Sequence, residues 1–494
     1  MNLKKIVIML LPACICWLDA ISQNELDALR YSQTTFGGTA RSMAAGGAFG
    51  ALGGDFSSLS INPAGIAIYK KSELMITPLM FKSKVTSAYS GNTMSDDKYG
   101  FNFSNAGGVF SYVPANNSMS TGKWINWNWG IGYNRLNNFQ SRSGFEGINS
   151  GSSMLDHYLN KVNAGSGTFP SDLASVSPGA YLAYQAYLIN PLDTIKDTAH
   201  YNSVVPFGGA LQRRNSVTKG GMGEYLFTFG ANYNNRLYFG ASMGLTTLRY
   251  EEKSEYAETD KSDTIPYFKS YTMNQSLKTT GSGVNFNFGM ILRASDWLRL
   301  GASVHTPVLL SLTDEYSGGI VSDFDSASSV TASSQPGRFS YSVETPFRAS
   351  GSAAVLVREM GFVSADYEIV DYSEASLSAA GVNYFDANAA IQGKYGVANN
   401  IRVGTEWRFD EYCVRGGYAH YGTPFKAGMN YPGADNSKTN YTLGFGIRDE
   451  GYYIDLAYVY SLSTGFYRPY AESALGAVNK SEGHQLLMTL GSKF

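Results

Sequence analysis

"YLFTFGANYNNRLYFGASMGL", Tyr225 to Leu245, decides how the rest of the chain is read. Tyr225, Phe227, Phe229, Ala231 and Tyr233 fall on one face, with Thr228, Gly230 and Asn232 on the other. After Asn234-Asn235 the chain resumes the alternation with Leu237, Phe239, Ala241, Met243 and Leu245. Period-two patterning on both sides of two turn-forming residues predicts a β-hairpin, greasy and aromatic on one side only. "WNWGIGYNRL" repeats the pattern, with Trp127, Trp129, Ile131 and Tyr133 against Asn128, Gly130, Gly132 and Asn134. Further copies run over Val284 to Leu292, Leu298 to Thr306, Ile401 to Phe409, Tyr441 to Ile447 and Ile454 to Leu462. A soluble sandwich alternates too, so alternation alone leaves the architecture open.

The connections discriminate. Fourteen strands are expected near 72–85, 101–113, 125–139, 223–233, 236–250, 268–293, 297–313, 338–357, 361–373, 399–409, 411–421, 439–448, 452–462 and 483–494. Every second connection is short (114–124, Asn234-Asn235, Ala294 to Asp296, Arg358 to Met360, Asp410, Asp449 to Gly451), and the others are long. Short turns on one rim and long loops on the other are the pattern of an outer-membrane barrel, whose closed ladder satisfies every backbone polar group and leaves no edge. The last strand ends with Leu486, Met488, Leu490 and the terminal Phe494 on one face.

Composition agrees with an all-β transmembrane barrel. Of 494 residues 16% are charged, below the roughly 25% of soluble proteins, while Gly numbers 54 and Tyr 35. The formal net charge of −2 creates no field that would draw nucleic acid. Lys4 and Lys5, the apolar run Ile6 to Leu18 and Ala20-Ile21-Ser22 read as an export signal over 1–22. Cys14 offers a lipoprotein reading, disfavoured by Pro12. Beyond the signal no window reaches the roughly 20 apolar residues of a membrane helix, and Cys413 is left without a disulfide partner.

Residues 23–70 precede the barrel, which is expected over 71–494 with a large, partly helical external loop at 140–222. The leading segment is dense in small residues, "GGTARSMAAGGAFGALGGDFSSLSINPAGIA", with Phe36, Phe49 and Phe56 as anchors and Asp55 as a cap for a short helical turn. A fourteen-strand barrel has a lumen wide enough to leak, so this segment is expected to plug it as a small helical hatch, the alternative being a flexible periplasmic tail. Asn62, Pro63, Ala64 and Gly65 close the segment, combining a fixed φ, a side-chain amide and a residue able to turn sharply.

An Asn-Pro-Ala motif ending a small-residue segment ahead of a fourteen-strand barrel resembles the FadL/TodX family of outer-membrane transporters for long-chain fatty acids and hydrocarbons. "ARSMAAGGAFGALGGDFSSLSINPAGIA" is similar to that family's hatch. "LRLGASVHTP" resembles its mid-barrel strand and turn, and "FVSADYEIVDYS" and "IRVGTEWRFDEYCVRGGYAHYG" its late hairpins. The resemblance implies an integral outer-membrane protein, monomeric, in contact with membrane lipid and a hydrophobic small molecule, passive and without a cofactor. It also implies that Asn62 to Gly65 act as hatch or gate against the wall, beside a kinked third strand expected near Gly130 and Gly132.

The loop supplies candidate ligand contacts. "SMLDHYLNKV" and "GAYLAYQAYLIN" carry Leu155, Tyr158, Leu159, Tyr181, Tyr184 and Leu188, read either as an apolar landing surface or as side chains that bury one another in a lid. Strand parity turns Arg299, His305, Arg402, Glu406, Arg408 and Arg415 into the lumen, with Asp366, Glu368, Arg448 and Asp455 among them, either to hold a ligand carboxylate or to pair and anchor the hatch. Catalysis is not expected. "GASMG" at 240–244 matches a nucleophile elbow but sits inside a continuous strand, and the five histidines lack metal spacing. The competing functions are a receptor for another amphipathic ligand such as haem, with His157 or His200 as its axial candidates, and a structural or secretion-linked barrel.

Overall fold

The computed structural model describes residues 24–494 except 36, 115–123, 206–207, 450 and 472. The expected signal segment, Cys14, Phe36 and most of the first short turn therefore lie outside the described residues. Among the described residues fourteen antiparallel staves close into one barrel. They are β1 (Glu73–Tyr89), β2 (Asn92–Tyr112), β3 (Trp124–Asn138, continued by Ser141–Ile148), β4 (Leu211–Tyr233), β5 (Leu237–Thr259), β6 (Phe268–Arg293), β7 (Leu298–His305, continued by Leu309–Phe324), β8 (Gly337–Glu344, continued by Arg348–Val357), β9 (Gly361–Asp371), β10 (Val397–Phe409), β11 (Tyr412–Tyr421), β12 (Lys438–Arg448), β13 (Tyr452–Tyr467) and β14 (Ala477–Lys493). Closure is made by β14 against β1, from Glu73↔Lys493 to Ala88↔Val478. Reciprocal bonds between Ser72 and Phe494, both 3.0 Å, then bring the terminal residue to the start of the first stave.

The side chains settle the choice between sandwich and barrel. On β4 and β5 the exposed face carries Tyr225, Phe227, Phe229, Phe239, Met243 and Leu245, while Thr228, Asn232, Ser242 and Thr246 are buried inside. Leu443, Phe445, Ile454, Leu456, Leu490 and Phe494 continue the exposed apolar belt on the last staves. A soluble fold hides its apolar face; here apolar groups point outward and polar groups inward, as a lipid solvent requires. Asn234 and Asn235, with φ of 56° and 51°, form the left-handed pair that a two-residue hairpin needs.

Several boundaries differ from expectation. β1 and β2 meet at Ser90-Gly91 and stay paired to that tip, so no long loop separates them. β4 begins at Leu211 and β3 continues to Ile148, which shortens the great loop to the stretch between them. These added strand portions are polar on both faces because they stand above the apolar belt, where alternation no longer marks a buried side. β7 and β8 are interrupted at 306–308 and 345–347, where Pro307 and Pro346 supply no backbone donor to the ladder.

The described residues between 24 and 69 occupy the lumen as α1 (Glu25–Ser32), α2 (Ala40–Ala44), α3 (Ser58–Ile61) and a 3-10 turn, Pro63–Ile68. Thr39 caps α2 by accepting from Ser42 N at 3.1 Å. Asp55 does not cap α3 directly; its carboxylate accepts from Thr39 Oγ1 at 2.8 Å and Ser57 N at 3.0 Å, and so ties two hatch segments together.

Candidate functional site: a seated hatch, a broken wall and a capped mouth

The hatch leaves carbonyls without helical partners, and the barrel wall supplies donors for them. Ser242 Oγ donates to Leu59 O (3.0 Å), Ser303 Oγ to Ile61 O (3.0 Å), Ser364 Oγ to Ala48 O (2.7 Å) and Thr442 Oγ1 to Ala44 O (2.8 Å). Asn128 Nδ2 donates to Ile66 O at 2.6 Å, and Asn126 Nδ2 to Ala67 O at 3.1 Å. Ser242 of the "GASMG" stretch is thus a hatch contact inside a strand. The Asn62 side chain bonds in both directions. Its Oδ1 accepts from Ala64 N (3.1 Å), and its Nδ2 donates to Gly50 O (2.7 Å) and lies 3.3 Å from both Met290 O and Ala302 O. The motif therefore seats against β5 to β7 rather than beside the third stave. Gly65 was expected to turn the chain. Instead it lies inside the 3-10 turn, and its size matters because a Cβ there would stand 2.9 Å from Gly53 Cα and 2.5 Å from Ser58 Oγ.

The lumen charges sit where parity sends them, and ion pairs engage most of them. Glu406 accepts from Arg41 of α2 at 2.7 and 2.8 Å and from Arg415 at 2.6 Å. Arg415 reaches Asp455 at 2.7 Å, and Arg448 pairs with the same carboxylate. Arg402 lies 3.7 Å from Asp366 and 3.9 Å from Glu368, which is also 3.7 Å from Arg348. Arg299 donates to Leu52 O at 2.7 Å, and His305 Nε2 lies 3.2 Å from Ile61 O. Arg408 stands apart, half-exposed at the short-turn rim, 3.5 Å from Glu406.

One seam of the wall is not hydrogen-bonded along its length. β2 and β3 pair from Tyr112↔Trp127 only as far as Asn105↔Asn134, whereas β3 stays paired to β4 beyond that point, through a bulge at Arg135 to Asn137. Gly130 and Gly132, where a kink was expected, are regularly paired on both sides; their missing side chains make room for Leu59 and Phe56 of the hatch. Above Asn134 the hatch takes over the freed edge. Thr35 N donates to Leu136 O (2.9 Å), Gly37 N to Arg135 O (3.2 Å) and Asn137 Nδ2 to Gln33 O (2.9 Å). On the β2 side the buried amides of Asn102 and Asn105 have no hydrogen-bond partner among the described residues, which marks an interface that is not fully closed. A small cleft beside the break has a mixed lining, with Met43, Leu79, Leu136 and Val459 beside Ser104, Asn138, Asn440 and Gln485. Through Thr35, Asn137, Tyr421 and Lys438 it adjoins a cavity of about 450 Å³ rich in Ser, Thr and Asn. Lys438 makes no ion pair among the described residues.

No protein-family model and no curated protein matches the sequence. Solved structures do. A Pseudomonas aeruginosa FadL homologue superposes over 94% of this chain and 99% of its own with a TM-score of 0.54 at 14% identity. The toluene transporter TodX of P. putida covers 93% of this chain and 99% of its own, with a TM-score of 0.51 at 13% identity. The fold is that of the FadL and TodX barrels. At such identity the likeness carries the fold, and the residues of the site are read from this chain alone.

In this FadL-like chain the mouth opposite the short turns is covered by α4 (Met154–Val162), α5 (Leu173–Val176) and α6 (Pro178–Gln185). Leu155, Tyr158 and Leu188 are buried, and Leu159, Tyr181 and Tyr184 pack partly buried on the same cluster with Phe268, Tyr271 and Ile320. They do not form the exposed landing surface that was one of the two expectations, because the hairpin ends of β5 to β7 rise far enough to cover them. His200 Nδ1 lies 2.9 Å from Asp197 Oδ1, and His157 is in α4. Among the described residues no group of His, Cys, Asp and Glu is placed to hold a metal.

A buried carboxylate that the sequence reading missed fastens this lid. Glu258 on β5 accepts from Ser153 Oγ (2.5 Å), Met154 N (2.8 Å), Tyr256 OH (2.7 Å) and Gln212 Nε2 (3.0 Å), and so holds the first turn of α4. Burial raises its pKa above the ordinary carboxyl value, against the pull of the Ser153 and Met154 bonds. A carboxyl with a raised pKa binds its proton more tightly in the packed lid than in the unpacked one. Lid stability is therefore greatest below the free glutamate value of about 4.3 and falls as pH rises through the raised value. Amide exchange in α4, corrected for intrinsic rates, should slow as pH drops from about 8 to about 5. Glu258→Gln should flatten that dependence, and an equally steep profile in the variant would refute the assignment.

Proposed function

We propose that the chain is an integral outer-membrane channel, working as a monomer without cofactor or catalysis, that admits hydrophobic or amphipathic small molecules and releases them sideways. The observation that carries this reading is the combination of a lumen filled by its own leading segment with an unpaired seam between β2 and β3. A filled lumen favours no straight aqueous path, whereas the seam adjoins a small cleft in which Met43, Leu79, Leu136 and Val459 stand among polar side chains. Apolar cargo moves from water into such a cleft and on into lipid downhill, at about 0.8 kcal/mol per CH₂. The solved neighbours include a toluene transporter, which supports a hydrophobic cargo class. Asn62 to Gly65 serve as the fixed anchor of the hatch, and the segment around Thr35 to Gly37 is the part that yields. Uptake of a long-chain fatty acid and of a neutral hydrocarbon, compared between cells with and without the protein, tests the reading; equal uptake of both would overturn it.

Lys438 favours a carboxylate-bearing cargo over a bare hydrocarbon. It stands where the polar cavity meets the cleft that holds Met43, Leu79, Leu136 and Val459, with no acidic partner among the described residues. A carboxylate there gains a charge-assisted bond while the tail enters the cleft. Lys438→Gln is expected to weaken binding of a long-chain carboxylate about tenfold and to leave a neutral hydrocarbon of equal length unchanged. Equal losses for both ligands would refute the head-group role.

A further inference from the structure

The outer mouth of the β2/β3 seam gathers cations that the transport reading leaves unused. Lys98 reaches from β2 across the break, its Nζ 2.5 Å from Thr218 O on β4. Arg142 pairs in register with Val217, two residues from Lys219 on the same face, so the two lie diagonally across the β3/β4 ladder. Arg135 donates from Nε to Phe103 O at 3.1 Å and lays its guanidinium over Gly221, where a Cβ would stand 2.5 Å from its Nη1. Arg142 and Lys219 are exposed and Lys98 and Arg135 half-buried. None of the four makes an ion pair among the described residues.

The neighbouring acids do not neutralise the group. Glu251 lies opposite Lys219 in register but is held by Arg249 at 2.5 Å. Asp97 is paired with Lys82, and Asp96 faces Gly144. Partial burial, then the charges of Lys219 and Arg142, hold the Lys98 ammonium pKa below its ordinary value. Crowded like charges of this kind are relieved by an anion placed among them.

Their height on the barrel names the anion. Tyr133, Tyr225 and Leu245 end the apolar belt on β3 to β5, and Thr247, Arg249 and Glu251 continue the outward row of β5 above it. The cations thus stand at the level of lipid head groups on the long-loop side, at the edge of the seam. We propose that Lys98, Arg135, Arg142 and Lys219 bind the phosphate group of an outer-leaflet lipid, which stands at the mouth of the lateral opening. The proposal rests on the membrane reading above.

The test uses the full mature chain in detergent micelles containing a diphosphorylated glucosamine lipid, the same lipid after phosphatase treatment, or inorganic phosphate alone. Wild type should retain the phosphorylated lipid in native mass spectra. Lys98→Gln combined with Arg142→Gln and Lys219→Gln should weaken retention on the order of 100-fold, about fivefold per cation. Glu251→Gln, which removes the carboxylate opposite Lys219 and adds net positive charge, should strengthen it about fivefold. Equal retention by the triple variant, equal retention of the dephosphorylated lipid, or binding of inorganic phosphate as tight as that of the lipid would each overturn the proposal. Flotation with vesicles separates the two readings. Protein that does not float overturns the membrane reading and this one with it, whereas floating protein with unselective retention overturns this one alone.

Discussion

Glu406→Ala is expected to destabilise the protein by about 3–5 kcal/mol, because it strands two guanidinium groups in a lumen closed to water. Glu406 is 1% exposed and receives both Arg41 and Arg415. Without it Asp455, already shared by Arg415 and Arg448, and Asp55, whose charge also reaches Arg41, are left against three cations. Arg41→Met should cost much less, since Glu406 keeps Arg415 and the long apolar side chain retains contact with Phe49 and Phe362, whose rings lie under the guanidinium. The predicted order is therefore Glu406→Ala well above Arg41→Met, read as the shift in denaturant midpoint of the heat-modifiable barrel band. Arg41 belongs to α2, so the same variant should loosen the hatch, and cleavage by chymotrypsin at Phe49, buried in the seated hatch, reports it. Equal costs for the two substitutions would mean that the pair contributes only its packing.

The staves were legible because a lipid exterior imposes period two on side chains such as Phe227, Phe229, Leu443 and Phe445, and because turns such as Asn234-Asn235 need left-handed backbone. Strand ends above the belt were not. Between Leu211 and Met222 both faces of β4 meet polar surroundings, so the sequence loses its period while the ladder continues. The unpaired seam was equally hidden: Asn102, Asn105 and Arg135 look like ordinary strand residues, and only the third dimension shows that their neighbour strand has parted. Parity placed Arg402, Glu406 and Arg415 inside, yet their partners come from staves and a hatch helix hundreds of residues apart in one case, as with Arg41. Glu258 escaped notice because nothing local distinguishes a latch from any other loop-proximal glutamate. The small residues of the leading segment read as a packing signal, and the glycines of the wall opposite them, Gly230, Gly240, Gly289, Gly301 and Gly404, became meaningful only once the two were seen together.

That complementarity makes Gly289→Val the most disruptive single change for the channel. A Cβ at position 289 would lie 1.9 Å from Asn62 Oδ1 and 3.0 Å from Pro63 Cδ, and a Cβ at the adjoining Gly240 would lie 2.1 Å from Pro63 C. Real Cβ atoms do not approach so closely, so the Asn-Pro-Ala turn must leave its seat while the stave, which accepts valine readily, stays paired. Leaving the seat breaks the bonds of Asn62 to Gly50, Met290 and Ala302 together, at about 1 kcal/mol for each bond lost. The expected result is a barrel that still floats with membranes and shifts on heating, but whose single-channel conductance and influx of large hydrophilic solutes rise at least about tenfold, the factor that each 1.4 kcal/mol of lost seating brings. Adding Asn62→Gly removes the clashing oxygen and should recover part of the seal, although the three bonds stay lost. Unchanged conductance in Gly289→Val would show that the hatch seals the lumen without its motif, and the anchor role of Asn62 to Gly65 would then fall while the barrel itself stood.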